Sequence, residues 1–165
     1  MARNRKVKGG EEFSALLAGL AGDDAVTVMK EACFKGVAVL ADQLRAEIQN
    51  LPVQHGYMRV KQKRNVIGGH DKQMLLDRMG ISRIDAIGDR ASVVVSFSGY
   101  NDRPTKKYPK GVPIPMIARS IESGSSIREK NPFVRRAYNT AKSKAEQAAK
   151  DAGQKKANEL IKKGG

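Results

Sequence analysis

Few residues in this chain combine a reactive type with a spacing that chemistry could use. His55 and His70 are its two histidines and Cys33 its one cysteine. A metal site needs several His, Cys or carboxylate ligands at compatible spacing, and none is visible. A nucleophilic cysteine needs a neighbouring base and a group to orient that base, and Cys33 has no local signature of this kind. Gly68-Gly69-His70 is too short for a phosphate loop, and neither Gly-x-x-x-x-Gly-Lys-Ser/Thr nor Gly-x-Gly-x-x-Gly occurs. The carboxylates are scattered, with no pair set for general acid–base work. The residues that do cluster are cationic. Arg3, Arg5, Lys6 and Lys8 form one group, Lys61, Lys63 and Arg64 a second, and Lys106, Lys107 and Lys110 a third. Clustered cations attract phosphate with an affinity that is non-specific and salt-sensitive. No recognition-helix, zinc-finger or RNA-binding signature accompanies them. The expectation is a chain without catalytic residues, metal or cofactor.

The elements that would carry these groups can be traced from the pattern. Residues 1–10 end in Gly9-Gly10 and read as a flexible basic arm. Glu11 and Glu12 then open a short helix with Phe13, Leu16, Leu17 and Leu20 on one face. Gly22 interrupts it, and an Asp at 23 or 24 caps a second helix running to about Asn50. Its stripe is Met29, Cys33, Val37, Leu40, Leu44 and Ile48, so Cys33 reads as a small core residue. Ala32 and Gly36 beside the stripe admit a close neighbour, and Pro52 follows the helix end.

Residues 53–70 are basic and Gly-containing, a long loop or poorly formed hairpin. Asp71 caps a short helix that Gly80 stops. Ile84 and Ala86, a turn at Gly88-Asp89, then Ala91, Val93, Val95 and Phe97 predict an antiparallel hairpin. Val93, Val95 and Phe97 should face the core, with Val94 and Ser96 opposite. Residues 101–111 read as an exposed, mobile loop. After Pro115, Met116, Ile117 and Ile121 share a short helical face. Gly124-Ser125-Ser126 breaks the chain. Asn131-Pro132 opens a final helix whose inner stripe is Ala137, Ala141, Ala145, Ala148 and Ala152, expected over the buried face of the hairpin. Its other face is rich in lysine.

The 165 residues form a one-domain length, with 40% hydrophobic and 29% charged residues. The fold class expected is α+β: a small antiparallel sheet packed by a long helix from the N-terminal half and a long C-terminal helix. The basic arm at 1–10 would precede a single domain over 11–165. No run approaches the ~20 apolar residues that span a bilayer, and no apolar stretch follows the basic N-terminus as a secretory leader would require. A net charge of +14 favours polyanionic partners without choosing among them.

The order of these elements resembles the neck and tail-completion proteins of long-tailed bacteriophages. Three stretches carry the likeness. The long helix closes on Leu51-Pro52-Val53, with Gly56 following. Ile117-Ala118 leads to Glu122 and Gly124-Ser125-Ser126. Pro132-Phe133-Val134 and Ala137 start the last helix. Where the family carries an aromatic before the glycine, this chain has Ser123, and its segment 57–79 is longer and more basic. The resemblance implies a non-catalytic virion subunit of the head–tail junction. Such a subunit forms a closed ring, six-fold or alternatively twelve-fold, around the DNA path. Its partners would be further copies of itself, the tail tube, the head-side connector and, transiently, passing double-stranded DNA. The motif residues would be Glu122, Gly124, Pro132, Phe133 and Ala137. Lys61, Lys63, Arg64, Lys106, Lys107 and Lys110 would face the lumen or the adjoining ring. Arg3, Arg5, Lys6 and Lys8 would form an assembly arm. The alternative is a free, basic DNA-associated protein.

Overall fold

The computed structural model describes residue 20 and residues 22–53, 67–87, 90–126 and 128–164. The basic arm, the helix expected around Phe13, Leu16 and Leu17, the Lys61–Arg64 cluster and the Gly88-Asp89 turn lie outside these residues.

Helix α1 spans Gly22–Gln49, and Asp23 and Asp24 fall within its first turn, where carboxylates offset the helix dipole. At its other end the ammonium of Lys72 donates to the carbonyls of Gln49 and Leu51, the latter at 3.1 Å. A cation there satisfies C-terminal carbonyls that have no partner within the helix. Helix α2, Gly69–Arg78, starts after Gly68, and Asp71 supplies no cap hydrogen bond. Instead Asp71 accepts from the Arg128 guanidinium at 2.6 Å. Gly80 does not stop this helix in a turn; it lies inside strand β1, Met79–Ile81, opposite Ser96.

Three further strands follow: β2 (Asp85–Ile87), β3 (Arg90–Ser92) and β4 (Val95–Phe97). The expected hairpin is present but interrupted. β2 pairs with β3, and β4 returns to pair with β1, all antiparallel. Between the two ladders the register slips by one residue, because Ser82–Ile84 oppose only Val93 and Val94. The amide of Val94 donates to Ser82 Oγ at 3.0 Å rather than to a carbonyl, while Ser82 N donates to the Val94 carbonyl at 2.8 Å. An extra residue on one strand bends the ribbon as a bulge does. The expected facing survives the bend: Ala91, Val93, Val95 and Phe97 are half-buried, and Ser92, Val94 and Ser96 are exposed.

Helix α3 spans Ile114–Glu122, with Pro115 in its first turn. It therefore begins before Pro115, two residues ahead of Met116, where the expected face starts. Its buried stripe is Ile114, Ile117, Ala118 and Ile121, and Met116 is turned outward. Helix α4 runs from Phe133 to Gly164.

The alanine stripe of α4 packs on α1, not over the hairpin. A Cβ built at Gly36 would lie 3.1 Å from Cβ of Ala149 and 3.2 Å from the Ala145 carbonyl oxygen. Glu47 meets Arg136 at 2.9 Å further along, so the two helices run antiparallel. α1 lies between α4 and the hairpin: its half-buried Cys33 reaches the carbonyl of Ala91 in β3, with Sγ at 3.7 Å. Ala137, Ala141, Ala145 and Ala157 are buried, while Ala148 and Ala152 are half-buried. Small side chains fit two backbones brought close together, whereas a hairpin already bearing Val and Phe fills its own space. The main core gathers at one end, where Ala41, Leu44 and Ile48 of α1, and Leu51 just past its end, meet Leu75, Met79, Ile114, Ile117, Ile121 and Phe133. The α+β class and the two long helices are as expected.

Gly36→Leu should destabilise the chain by about 1–3 kcal/mol, because it overpacks a seam with backbone on one side. Urea unfolding followed by circular dichroism measures this. Lys144→Ala, on the exposed side of α4, should change stability by no more than about 0.5 kcal/mol. Equal effects of the two would show that the helices do not meet at Gly36.

Candidate functional site

Two of the sequence-selected groups can be placed. The first is the family-like motif, and it builds a corner between helices. At the end of α3, Gly124 has φ +79°. A side chain there would be strained, and its Cβ would also lie 3.1 Å from the backbone nitrogen of Lys130. The chain then folds back so that Asn131 N donates to the Ile121 carbonyl at 2.8 Å. Both carboxylate oxygens of Glu122 accept amide protons from the first turn of α4, from Val134 at 2.9 Å and Arg135 at 3.3 Å. A carboxylate at that place satisfies open amides and meets the positive end of the dipole. Phe133 is fully buried, with its ring centroid 6.2 Å from that of Phe97. Ala137 follows one turn later, also buried. Glu122, Gly124, Phe133 and Ala137 thus hold this corner together, with Pro132 directly before the helix.

The second group is the loop carrying Lys106, Lys107 and Lys110. It is exposed, as expected, but it is built of two successive tight turns and closed at its neck. Thr105 N donates to the Tyr108 carbonyl at 2.9 Å, and Tyr108 N to the Thr105 carbonyl at 3.1 Å, leaving Lys106 and Lys107 at the tip. Gly111 N then donates to the Tyr108 carbonyl at 2.9 Å, so Pro109 and Lys110 are the central pair of a second turn. Proline second and glycine fourth suit such a turn. Tyr108 is held from outside the loop, with its hydroxyl 3.3 Å from Met116 Sδ of α3.

Asn101 closes the neck. Its amide donates to the Val112 carbonyl at 2.9 Å, and its side-chain oxygen accepts from Val112 N at 2.8 Å and Arg103 N at 3.4 Å. Asn101 is 8% exposed, the sole buried polar residue among those described. Gly111 packs so tightly on it, at φ +91°, that a Cβ would fall 1.9 Å from the Asn101 carbonyl oxygen. Sequence reasoning missed this clamp and missed Arg103, an exposed cation in the same loop. The Tyr-Pro-Lys-Gly run was the signal for the second turn; nothing local marked Asn101.

Among the described residues, those with reactive side chains are not assembled, and His55 lies outside the described residues. His70 Nε2 lies 2.6 Å from Asp102 Oδ1, which ties the start of α2 to the loop, and its Nδ1 is buried with no partner. Cys33 bonds instead to a strand carbonyl, and partial burial pushes its thiol pKa up, away from the reactive thiolate. Among the described residues no group of three or more His, Cys, Asp or Glu could hold a metal ion. No described helix is long and apolar enough to cross a membrane. Comparison with protein-family models, with curated proteins and with solved structures found no match.

Glu122→Ala leaves the first amides of α4 without their acceptor and should cost about 0.5–2 kcal/mol, with Glu122→Gln closer to wild type. Urea unfolding of both variants checks it. An alanine variant as stable as wild type would show that the corner is held by Phe133 burial alone.

Proposed function

We propose that this chain is a non-catalytic structural subunit of a bacteriophage head–tail junction. It would form a homomeric ring in the neck or at the tail end of the virion. Six copies are the first expectation and twelve the alternative. The observation that carries the reading is the open hairpin ribbon. Each ladder has only two strands among the described residues, and a two-stranded ladder can take a further strand from another chain. Its outward face presents Ile87, 82% exposed, and Val94, 56% exposed. A ring needs one surface to meet a different surface on the next copy through a rotation that closes. An edge with apolar groups beside it suits that role. The corner built by Glu122, Gly124 and Phe133 supports the reading too, since the residues that carried the family resemblance have a common structural task.

Tail-tube and head-side connector proteins are the partners this reading assigns, and the basic arm at 1–10 is assigned to joining them. The free, basic DNA-associated protein remains the competing reading, favoured by the net charge of +14.

Native mass spectrometry and negative-stain microscopy of the purified chain decide between them. The ring reading expects a closed oligomer, and Ile87→Asp should abolish it while leaving monomer stability within about 0.5 kcal/mol. A protein that stays monomeric or dimeric at every concentration, even with tail-tube protein added, and binds duplex DNA would favour the alternative.

A further inference from the structure

We infer that the loop from Arg103 to Lys110 is a preformed, sequence-indifferent binding site for the phosphodiester backbone of nucleic acid. The inference does not depend on ring formation, since a single copy of the chain carries the whole loop.

The first argument is charge that has no internal partner. Arg103, Lys106, Lys107 and Lys110 are all exposed. Among the described residues, no carboxylate lies within ion-pair distance of any of them. Several cations elsewhere have a carboxylate partner: Arg128 with Asp71, Arg136 with Glu47, Lys142 with Glu146 and Lys156 with Glu159. The acidic residue directly before the loop, Asp102, is engaged with His70. Like charges so close in sequence repel one another, and an external anion relieves that repulsion.

The second argument is preorganisation. Flexible lysine loops lose conformational freedom on binding, which weakens them. Here the backbone is already fixed by two turns, by the buried Asn101 and by the close packing of Gly111. Lys106 and Lys107 occupy the tip of the first turn and Lys110 the centre of the second, so the cations are spaced by backbone geometry. Lys107 also lies over the Tyr108 ring, 5.7 Å from its centroid, which restrains that side chain.

The third argument selects the ligand class. Between Arg103 and Lys110 there is no aliphatic residue to enter a bilayer, and the Tyr108 hydroxyl is turned to Met116. Anionic lipid is therefore the poorer match. Between Arg103 and Lys110 there is no Asn or Gln to pair with adenine and no ring offered for stacking, so the cations are assigned to phosphates rather than to base edges. Duplex and single-stranded nucleic acid share the chemistry.

The test uses the full chain, fluorescence anisotropy and labelled 20-mers of mixed sequence, single-stranded and duplex, over a range of salt. Lys106, Lys107 and Lys110 are changed together to Gln. A control of equal charge changes Lys144, Lys155 and Lys162 of α4 to Gln. Thermal melting and native mass confirm that both variants fold and assemble as wild type does. The loop variant should lower the slope of log K against log salt by about 2.7 on duplex, from about 0.9 per lost phosphate contact, and by about 2 on single strands. The control should lower it by less than about 1. Equal losses in the two variants would mean that net charge alone acts, and would overturn the site. So would an unchanged slope in the loop variant. Loss of binding to anionic phosphatidylserine vesicles, with nucleic-acid binding intact, would assign the loop to lipid and overturn it equally. A failure to form rings leaves all of these outcomes readable, and distinguishes this inference from the ring proposal.

Discussion

At Gly36 the backbones of α1 and α4 come so near that a Cβ would sit 3.1 Å from Ala149 Cβ and 3.2 Å from the Ala145 carbonyl oxygen. That close approach fixes the position of the remaining elements. With α4 held against one side of α1, the other side is left for the hairpin, where Cys33 meets Ala91. The line of α4 then brings Phe133 into the main core beside Phe97, and Arg136 to Glu47. A larger residue in the seam would push α4 outward along its length and draw Phe133 from a site where it is fully buried. The seam itself contributes little apolar area per residue, because alanine and glycine have little to bury. Its role is to set distance, and the larger side chains at the Phe133 end supply most of the burial.

The long helices, the short helix before Gly124 and the facing of Val93, Val95 and Phe97 were legible because each rests on local periodicity. Three features were not. The alanine stripe showed that something would approach closely, but period alone does not say whether a helix or a sheet will do so. The register slip at Ser82–Ile84 is invisible to alternation, because a side-chain hydroxyl replaces a backbone acceptor there and the burial pattern continues across it. Gly80 has the composition of a helix stop yet sits in a strand, since pairing with Ser96 decides its conformation. At the candidate site, the lysines could be read but their rigidity could not. That rigidity depends on Asn101 and Gly111, ten residues apart in the chain, whose contact only the folded neck creates.

The charge on the two long helices has a structural use that composition hides. α1 contains Asp23, Asp24, Glu31, Asp42 and Glu47 against Lys30, Lys35 and Arg45, while α4 is rich in lysine and arginine. The helices therefore attract one another across a seam that offers little hydrophobic area. Some α4 lysines also pair along their own helix, Lys142 with Glu146 and Lys156 with Glu159. Exposed pairs of this kind are individually weak, about 0–1 kcal/mol. They nonetheless lower the net charge that α4 presents outward. The excess that gives the chain +14 is thus unevenly expressed, and the 103–110 loop is a place where it is not offset.

The proposed assembly surface and the inferred phosphate site would have to work without interfering with one another. The hairpin ribbon is bent, short-stranded and open at its edges, a form that can adjust to a neighbouring chain. The basic loop has the opposite character, with its neck clamped by Asn101 and its turns closed by backbone hydrogen bonds. They leave the body at separate points: the ribbon lies against α1 near Cys33, whereas the loop is fixed to α2 through His70–Asp102 and to α3 through Tyr108–Met116. Pairing at a strand edge need not disturb the loop, and phosphate at the loop need not strain the ribbon. Affinity at the loop can also stay modest, because a few phosphate contacts give binding that salt readily weakens. Fixed geometry with few contacts is the combination that reversible phosphate binding, as inferred for this loop, would need.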